Sequence, residues 1–154
     1  MKTDLEIADF VIQTPYDLTL EDYNAIEKTS HGHPIKDDWS AKKLDVFKNH
    51  VKAYYKKAQN QKCAYCRMDV SLATGCYHIE HIVPKSIHPE WMYEPLNLCL
   101  SCPSCNSFKN NKEVLVDSAC TELPINHQII CLYIHIWTII SSTLISLMDF
   151  YTRD

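Results

Sequence analysis

A chain of 154 residues with 46% hydrophobic and 22% charged residues has the size and composition of one modest globular core with attachments. Two glycines are too few for a glycine-rich nucleotide loop, and the first ten residues carry acids where a secretion signal needs a basic segment and an apolar run. The formal net charge of −4 would argue against a polyanionic substrate if it were evenly spread. It is not: residues 1–40 carry three bases against nine acids, residues 41–67 carry eight against one, and the remainder carries four against nine. Positive charge is concentrated in one segment, the usual footprint for a polyanion.

In chain order, residues 1–39 read as an acidic arm with scattered apolar positions, and no chemistry is assigned to it. Thr19-Leu-Glu-Asp22 predicts a capping box opening a short helix, which His31-Gly-His33-Pro34 breaks as a turn. Residues 40–61 then read as a basic amphipathic helix with Ser40 as its N-cap. Leu44, Phe47, Val51, Tyr54, Tyr55 and Ala58 recur at three- and four-residue intervals, while Lys48, Lys52 and Lys56 form one stripe. That stripe is expected to contact phosphates, against the blander reading of a solvated helix face.

Cys63-Ala-Tyr-Cys66 and Cys102-Pro-Ser-Cys105 supply four thiolates in two tight turns, the spacing of a zinc site. Eight cysteines would also allow a disulfide framework, but without an export signal a reducing cytoplasm and a metal are the expectation. Cys99 with Cys102 would satisfy the same turn as Cys102 with Cys105; the second is preferred because Asn106 and a predicted helix follow it. Cys76, Cys99, Cys120 and Cys131 then read as small buried hydrophobes. Met68–Val70 and Tyr77–Ile79 are the expected strands, turning at Thr74-Gly75, and the closing helix is expected to run from Cys105 toward Val114 or Val116. Strand alternation puts His78 and Glu80 on one face, Ile79 and His81 on the other.

Between the cysteine pairs lie Glu80-His81-x-x-Pro84 and Asn97-Leu98, and Asn106-x-x-Lys109 follows the last thiolate. Carboxylate and amide oxygens with one imidazole suit Mg²⁺ or Mn²⁺ beside a general base. In order and spacing these motifs resemble the HNH endonucleases of the ββα-metal class, in their zinc-bearing four-cysteine branch. The resemblance covers about Cys63 to Val116 and implies an α+β fold: a zinc-clamped ββα unit over residues 62–117, preceded by the basic helix and flanked by the arm and by an apolar segment at 118–154.

What the resemblance implies is metal-dependent hydrolysis of phosphodiester bonds in DNA. His81 would be the general base, Glu80 and Asn106 would hold Mg²⁺ or Mn²⁺, and Asn97 would fix the loop and orient His81. Lys109 would face a phosphate, with Lys85 as a further nucleic-acid contact, and Cys63, Cys66, Cys102 and Cys105 would bind structural Zn²⁺. His78 and His88 are secondary candidates. The family more often has Asp or His where Glu80 stands. Its small members often serve bacterial defence, sometimes beside an ATPase partner, and no small-molecule cofactor is implied.

Two other classes compete. A non-catalytic zinc-knuckle module binding nucleic acid or protein would need only the cysteines and the basic helix, leaving Glu80, His81, Asn97 and Asn106 in order without a reason. A cysteine nucleophile fails because no spare cysteine has a base beside it in sequence. Ile129 to Met148 has the length and apolarity of a membrane span. His135, Tyr133 and several hydroxyl residues interrupt it, and no basic cluster orients it. A buried or interface segment is the reading adopted, ahead of a membrane anchor or an out-of-frame tail.

Overall fold

The computed structural model describes residues 14–70, 77–112 and 123. The elements below all lie in one compact unit, Met1–Val114. Cys76, Cys120, Cys131 and the apolar segment 129–148 lie outside the described residues. Among the described residues, no helix is long and apolar enough to cross a membrane.

Helix α1 spans Leu20–Ser30 and opens with the expected capping box, Thr19 accepting from the Asp22 amide and Asp22 accepting from that of Thr19. It ends at His31, whose left-handed backbone (φ 49°) stops the helix. Asp22 is fully buried, and its carboxylate is held by hydrogen bonds. Its Oδ2 accepts from Tyr16 Oη at 2.6 Å and from the Thr19 amide at 2.9 Å, while Oδ1 lies 2.8 Å from His50 Nδ1. The cap therefore also ties α1 to the next helix.

Two 3₁₀ turns, Lys36–Ser40 and Lys42–Leu44, precede helix α2, Asp45–Ala58. The expected cap at Ser40 is not made, and α2 starts five residues later with no side-chain cap on Leu44. The competing interaction is local: Asp38 accepts from the Ile35 amide at 3.0 Å, closing the first turn and leaving Ser40 inside it. Phe47, Val51 and Tyr55 bury one face of α2, as their spacing predicts. With Leu44, Met92, Tyr93, Leu98 and Leu100 they form the core, against which Tyr16, Leu18, Ile26 and Trp39 pack from the arm.

The sheet has two antiparallel strands, β1 His78–His81 and β2 Leu98–Ser101, with His78 opposite Ser101 and His81 opposite Leu98. Met68–Val70 is not the partner of β1; it makes only an isolated bridge between Lys62 and Asp69. The strand at 98–101 is buried on both faces, so no alternation marks it in sequence. Helix α3, Pro103–Lys109, closes the ββα unit and packs on β1. It stops at Asn110 (φ 47°), short of the expected Val114.

Candidate metal centres and catalytic cleft

The first cysteine pair sits in a knuckle after α2. The Cys63 amide donates to the Met68 carbonyl at 2.9 Å, the Arg67 amide returns to the Cys63 carbonyl at 3.1 Å, and Arg67 takes a left-handed backbone (φ 61°). The second pair opens α3, where Cys102 is the N-cap and its sulfur accepts from the Cys105 amide at 3.5 Å. The ligand atoms of Cys63, Cys66, Cys102 and Cys105 all lie within 4.8 Å of one another. A tetrahedral zinc with Zn–S bonds of about 2.3 Å requires sulfurs about 3.8 Å apart. Cys66 Sγ and Cys102 Sγ are separated by 3.9 Å, far beyond a disulfide bond and near the zinc value, so the set fits zinc. Cys99 stands outside the cluster, in β2.

The thiols shift in opposite directions. Bonds from the Cys105 thiol and from the Cys102 amide hold Cys63 down to about 4, against the opposing effect of burial. Burial pushes Cys66 up to about 11, and the Cys105 thiol rises through its bond to Cys63. Cys63 is therefore the most readily charged of these three thiols, and a metal bound to the set would displace thiol protons.

Beside this clamp β1 and α3 face each other residue by residue. His78 and Glu80, two apart on a strand, share a face, and so do Asn106 and Lys109, three apart on a helix. Asn106 Nδ2 donates to His78 Nδ1 at 2.9 Å, leaving the amide oxygen as the atom available to a cation. Lys109 lies 2.7 Å from Glu80 Oε1, which also accepts from Tyr65 Oη at 3.2 Å. Burial pushes the Glu80 carboxyl above its ordinary range, although Lys109 and Tyr65 pull the other way.

Lys109 differs from the expectation. It is 2% exposed and donates to the His81 carbonyl at 2.7 Å as well as pairing with Glu80. Because α3 is short and packs on β1, the ammonium turns back onto the strand instead of out to a phosphate. Lys85 is half-buried and lines the same cleft of about 300 Å³, together with Glu80, His81, Asn106 and Lys109. Two lysines against one carboxylate make this cleft attractive to an anion. Both contacts on Glu80 fall on Oε1, and Glu80 and Asn106 line the same cleft.

His81 ends β1 and is buried. Its Nε2 lies 3.2 Å from the Met92 carbonyl. A carbonyl only accepts, so Nε2 carries the hydrogen and Nδ1 keeps its lone pair. Burial, with Lys85 adding to it, pushes the imidazole down to about 3, so the ring is neutral at pH 7. Asn97 is fully buried: its Oδ1 accepts from the Val83 amide at 2.7 Å, and its Nδ2 donates to the carbonyls of Val83 at 3.1 Å and Trp91 at 3.0 Å. It therefore fixes the peptide beside the Met92 carbonyl on which His81 rests. Asn97→Ala takes the side-chain partner from the Val83 amide and carbonyl, while the Trp91 carbonyl keeps the Glu94 amide at 3.2 Å, and is expected to cost about 3 kcal/mol, read as a lower urea midpoint at unchanged slope.

His88 lies away from the cleft lining; its Nδ1 is 2.8 Å from Glu90 Oε1 and its ring stacks on Trp91 at 4.1 Å. Lys48, Lys52 and Lys56 are partly buried along α2, with Lys48 5.6 Å from the Trp39 ring centre and Lys56 5.7 Å from that of Tyr77. Trp39, from the arm given no chemistry on sequence, meets the His81 ring edge-on at 4.4 Å. No periodicity or motif in sequence marks it.

Residues 63–112 match the family described as HNH endonuclease. Septu protein PtuB of Bacillus thuringiensis is 29% identical over 84 residues, covering 52% of this chain and 32% of that protein. The chain thus spans about a third of the length of the curated relative it matches. No solved structure matches. With two antiparallel strands, a closing helix, a four-cysteine cluster and this match in the same stretch, residues 63–112 belong to the HNH endonuclease family.

Proposed function

We propose that this chain is a metal-dependent endonuclease hydrolysing phosphodiester bonds in DNA. The observation that carries the reading is a neutral His81, its proton committed to the Met92 carbonyl, at a lysine-lined cleft that also holds Glu80 and Asn106. His81 Nδ1 takes the proton of the attacking water. A Mg²⁺ or Mn²⁺ on Glu80 and Asn106 would stabilise charge developing on the scissile phosphate and the leaving oxygen. Lys85 draws the phosphate into the cleft, while Lys109 holds Glu80 and the end of β1 in place. Asn97 keeps the loop that presents the Met92 carbonyl. Four thiolates leave no open position on a zinc, so that metal would be structural.

Lys48, Lys52 and Lys56 extend the positive surface along α2 and would hold DNA outside the cleft. On the family resemblance, the chain would serve bacterial defence in the cytoplasm, beside an ATPase partner. Supercoiled plasmid incubated with the zinc-loaded protein is expected to be nicked or linearised only when Mg²⁺ or Mn²⁺ is added. Changing Lys48, Lys52 and Lys56 to Gln should reduce the slope of log affinity against log salt by about 2–3. Zinc-loaded protein that binds DNA without cutting it would favour the zinc-knuckle binding module, and an unchanged slope would return the lysines to a solvated face.

A further inference from the structure

We propose that Trp39 is a positioning residue that sets the plane of the His81 ring for proton transfer, so that the active centre extends beyond residues 63–112 into the N-terminal arm. The inference rests on reading His81 as the base. A single hydrogen bond from Nε2 to the Met92 carbonyl fixes one atom of the imidazole and leaves the ring free to swing about that bond. A second constraint is needed to keep Nδ1 aimed at a water. Trp39 supplies it, meeting the ring at 4.4 Å between centroids with an interplanar angle of 77°, the edge-to-face geometry that aromatic quadrupoles favour.

Trp39 is itself held from three directions. Its 3₁₀ turn is closed by Asp38 on the Ile35 amide, its ring meets Phe47 of α2 at 6.1 Å and 89°, and it lies 6.5 Å from Tyr93. Tyr93 directly follows Met92, so one wall fixes both the acceptor of the His81 hydrogen and the ring that orients it. Lys48 lies over the same indole, which places the first lysine of the α2 stripe one side chain away from the base. This also accounts for the interrupted start of α2. Continuing the helix back to Ser40 would carry Trp39 off the 3₁₀ turn that delivers it to His81.

The test uses the full zinc-loaded chain with Trp39→Ala, Trp39→Leu and Trp39→Phe, cutting a labelled duplex with Mn²⁺. Trp39→Ala is expected to lower kcat by about 10–100-fold with KM within about two-fold, the pattern of a misaimed group. Trp39→Phe, which retains an aromatic edge, should recover most of that loss, and Trp39→Leu, which keeps bulk without a quadrupole, should not. NMR relaxation of the labelled imidazole gives a readout independent of cleavage: a rigid ring in the parent and in Trp39→Phe, and added ring motion in Trp39→Ala and Trp39→Leu, with the hydrogen on Nε2 in all of them. Unchanged kcat in folded Trp39→Leu, a loss confined to KM, or Phe no better than Leu would overturn the proposal. If the parent cuts no duplex either, the nuclease reading fails by itself, and identical imidazole relaxation in parent and Trp39→Leu would then overturn the role of Trp39 separately.

Discussion

His81→Ala is expected to cut metal-dependent cleavage by about 10²–10⁴-fold, the range for removing a positioned general base. The imidazole is suited to the role because its environment fixes both protonation and tautomer. Burial keeps it uncharged, and the Met92 carbonyl takes the hydrogen of Nε2. Its pKa lies below the ordinary histidine value, so the neutral ring persists to acidic pH, and protonation of Glu80, whose carboxyl is raised by burial, should reduce activity before His81 gains its proton. Rates of plasmid nicking for parent and variant, with zinc content and circular dichroism measured alongside, check the claim. Cleavage at the parent rate by a folded, zinc-loaded variant would remove His81 as the base. Lost cleavage with lost zinc would make the substitution structural.

Cys102→Ser should have the larger effect on folding. Structural zinc in small domains contributes about 10–16 kcal/mol of apparent binding free energy, comparable to or above the net stability of about 5–15 kcal/mol of a whole domain. Cys102 has two roles, as a member of the cluster and as the N-cap of α3, where its sulfur accepts from the Cys105 amide. A seven-residue helix has little intrinsic stability. Without the clamp, α3 should detach from β1, separating Asn106 from His78 and Lys109 from Glu80. Zinc counting, near-ultraviolet dichroism and protease sensitivity follow this, and a strong chelator should reproduce it in the parent chain. A zinc-free variant with native tertiary signals would overturn the clamp.

Much of this arrangement was legible in sequence because it rests on local rules. The capping box at Thr19, the apolar face of α2, and the alternation that puts His78 and Glu80 on one side of β1 each follow from spacing over a few residues. The pairing of β1 was not legible. Leu98-Cys-Leu-Ser101 is buried throughout and carries no period, while the more polar Met68–Val70 looked like the nearer partner. The start of α2 was lost to Asp38, whose carboxylate spends itself on a 3₁₀ turn. The resemblance assigned Lys109 to a phosphate, and nothing in its local spacing shows that the ammonium is buried. Its burial becomes visible only when β1 brings Glu80 and the His81 carbonyl to within 2.7 Å of it. Trp39 could not be found from the motif because it lies 24 positions ahead of Cys63.

Gln59, just past the end of α2, closes on β2 as though it were a third strand. Its side-chain Oε1 accepts from the Leu100 amide at 2.7 Å and its Nε2 donates to the Leu100 carbonyl at 2.9 Å, while Tyr55 donates to the Pro95 carbonyl at 2.7 Å. An amide side chain thus shares the outer edge of β2 with the backbone of the first cysteine knuckle, where the Ala64 amide donates to the same Leu100 carbonyl at 2.9 Å. A fragment trimmed to the recognisable HNH stretch would leave the Leu100 amide without this partner and invite strand-to-strand self-association there. The unit that folds around the site is therefore longer than its sequence signature, and grafting this domain into another protein means taking α2 with it.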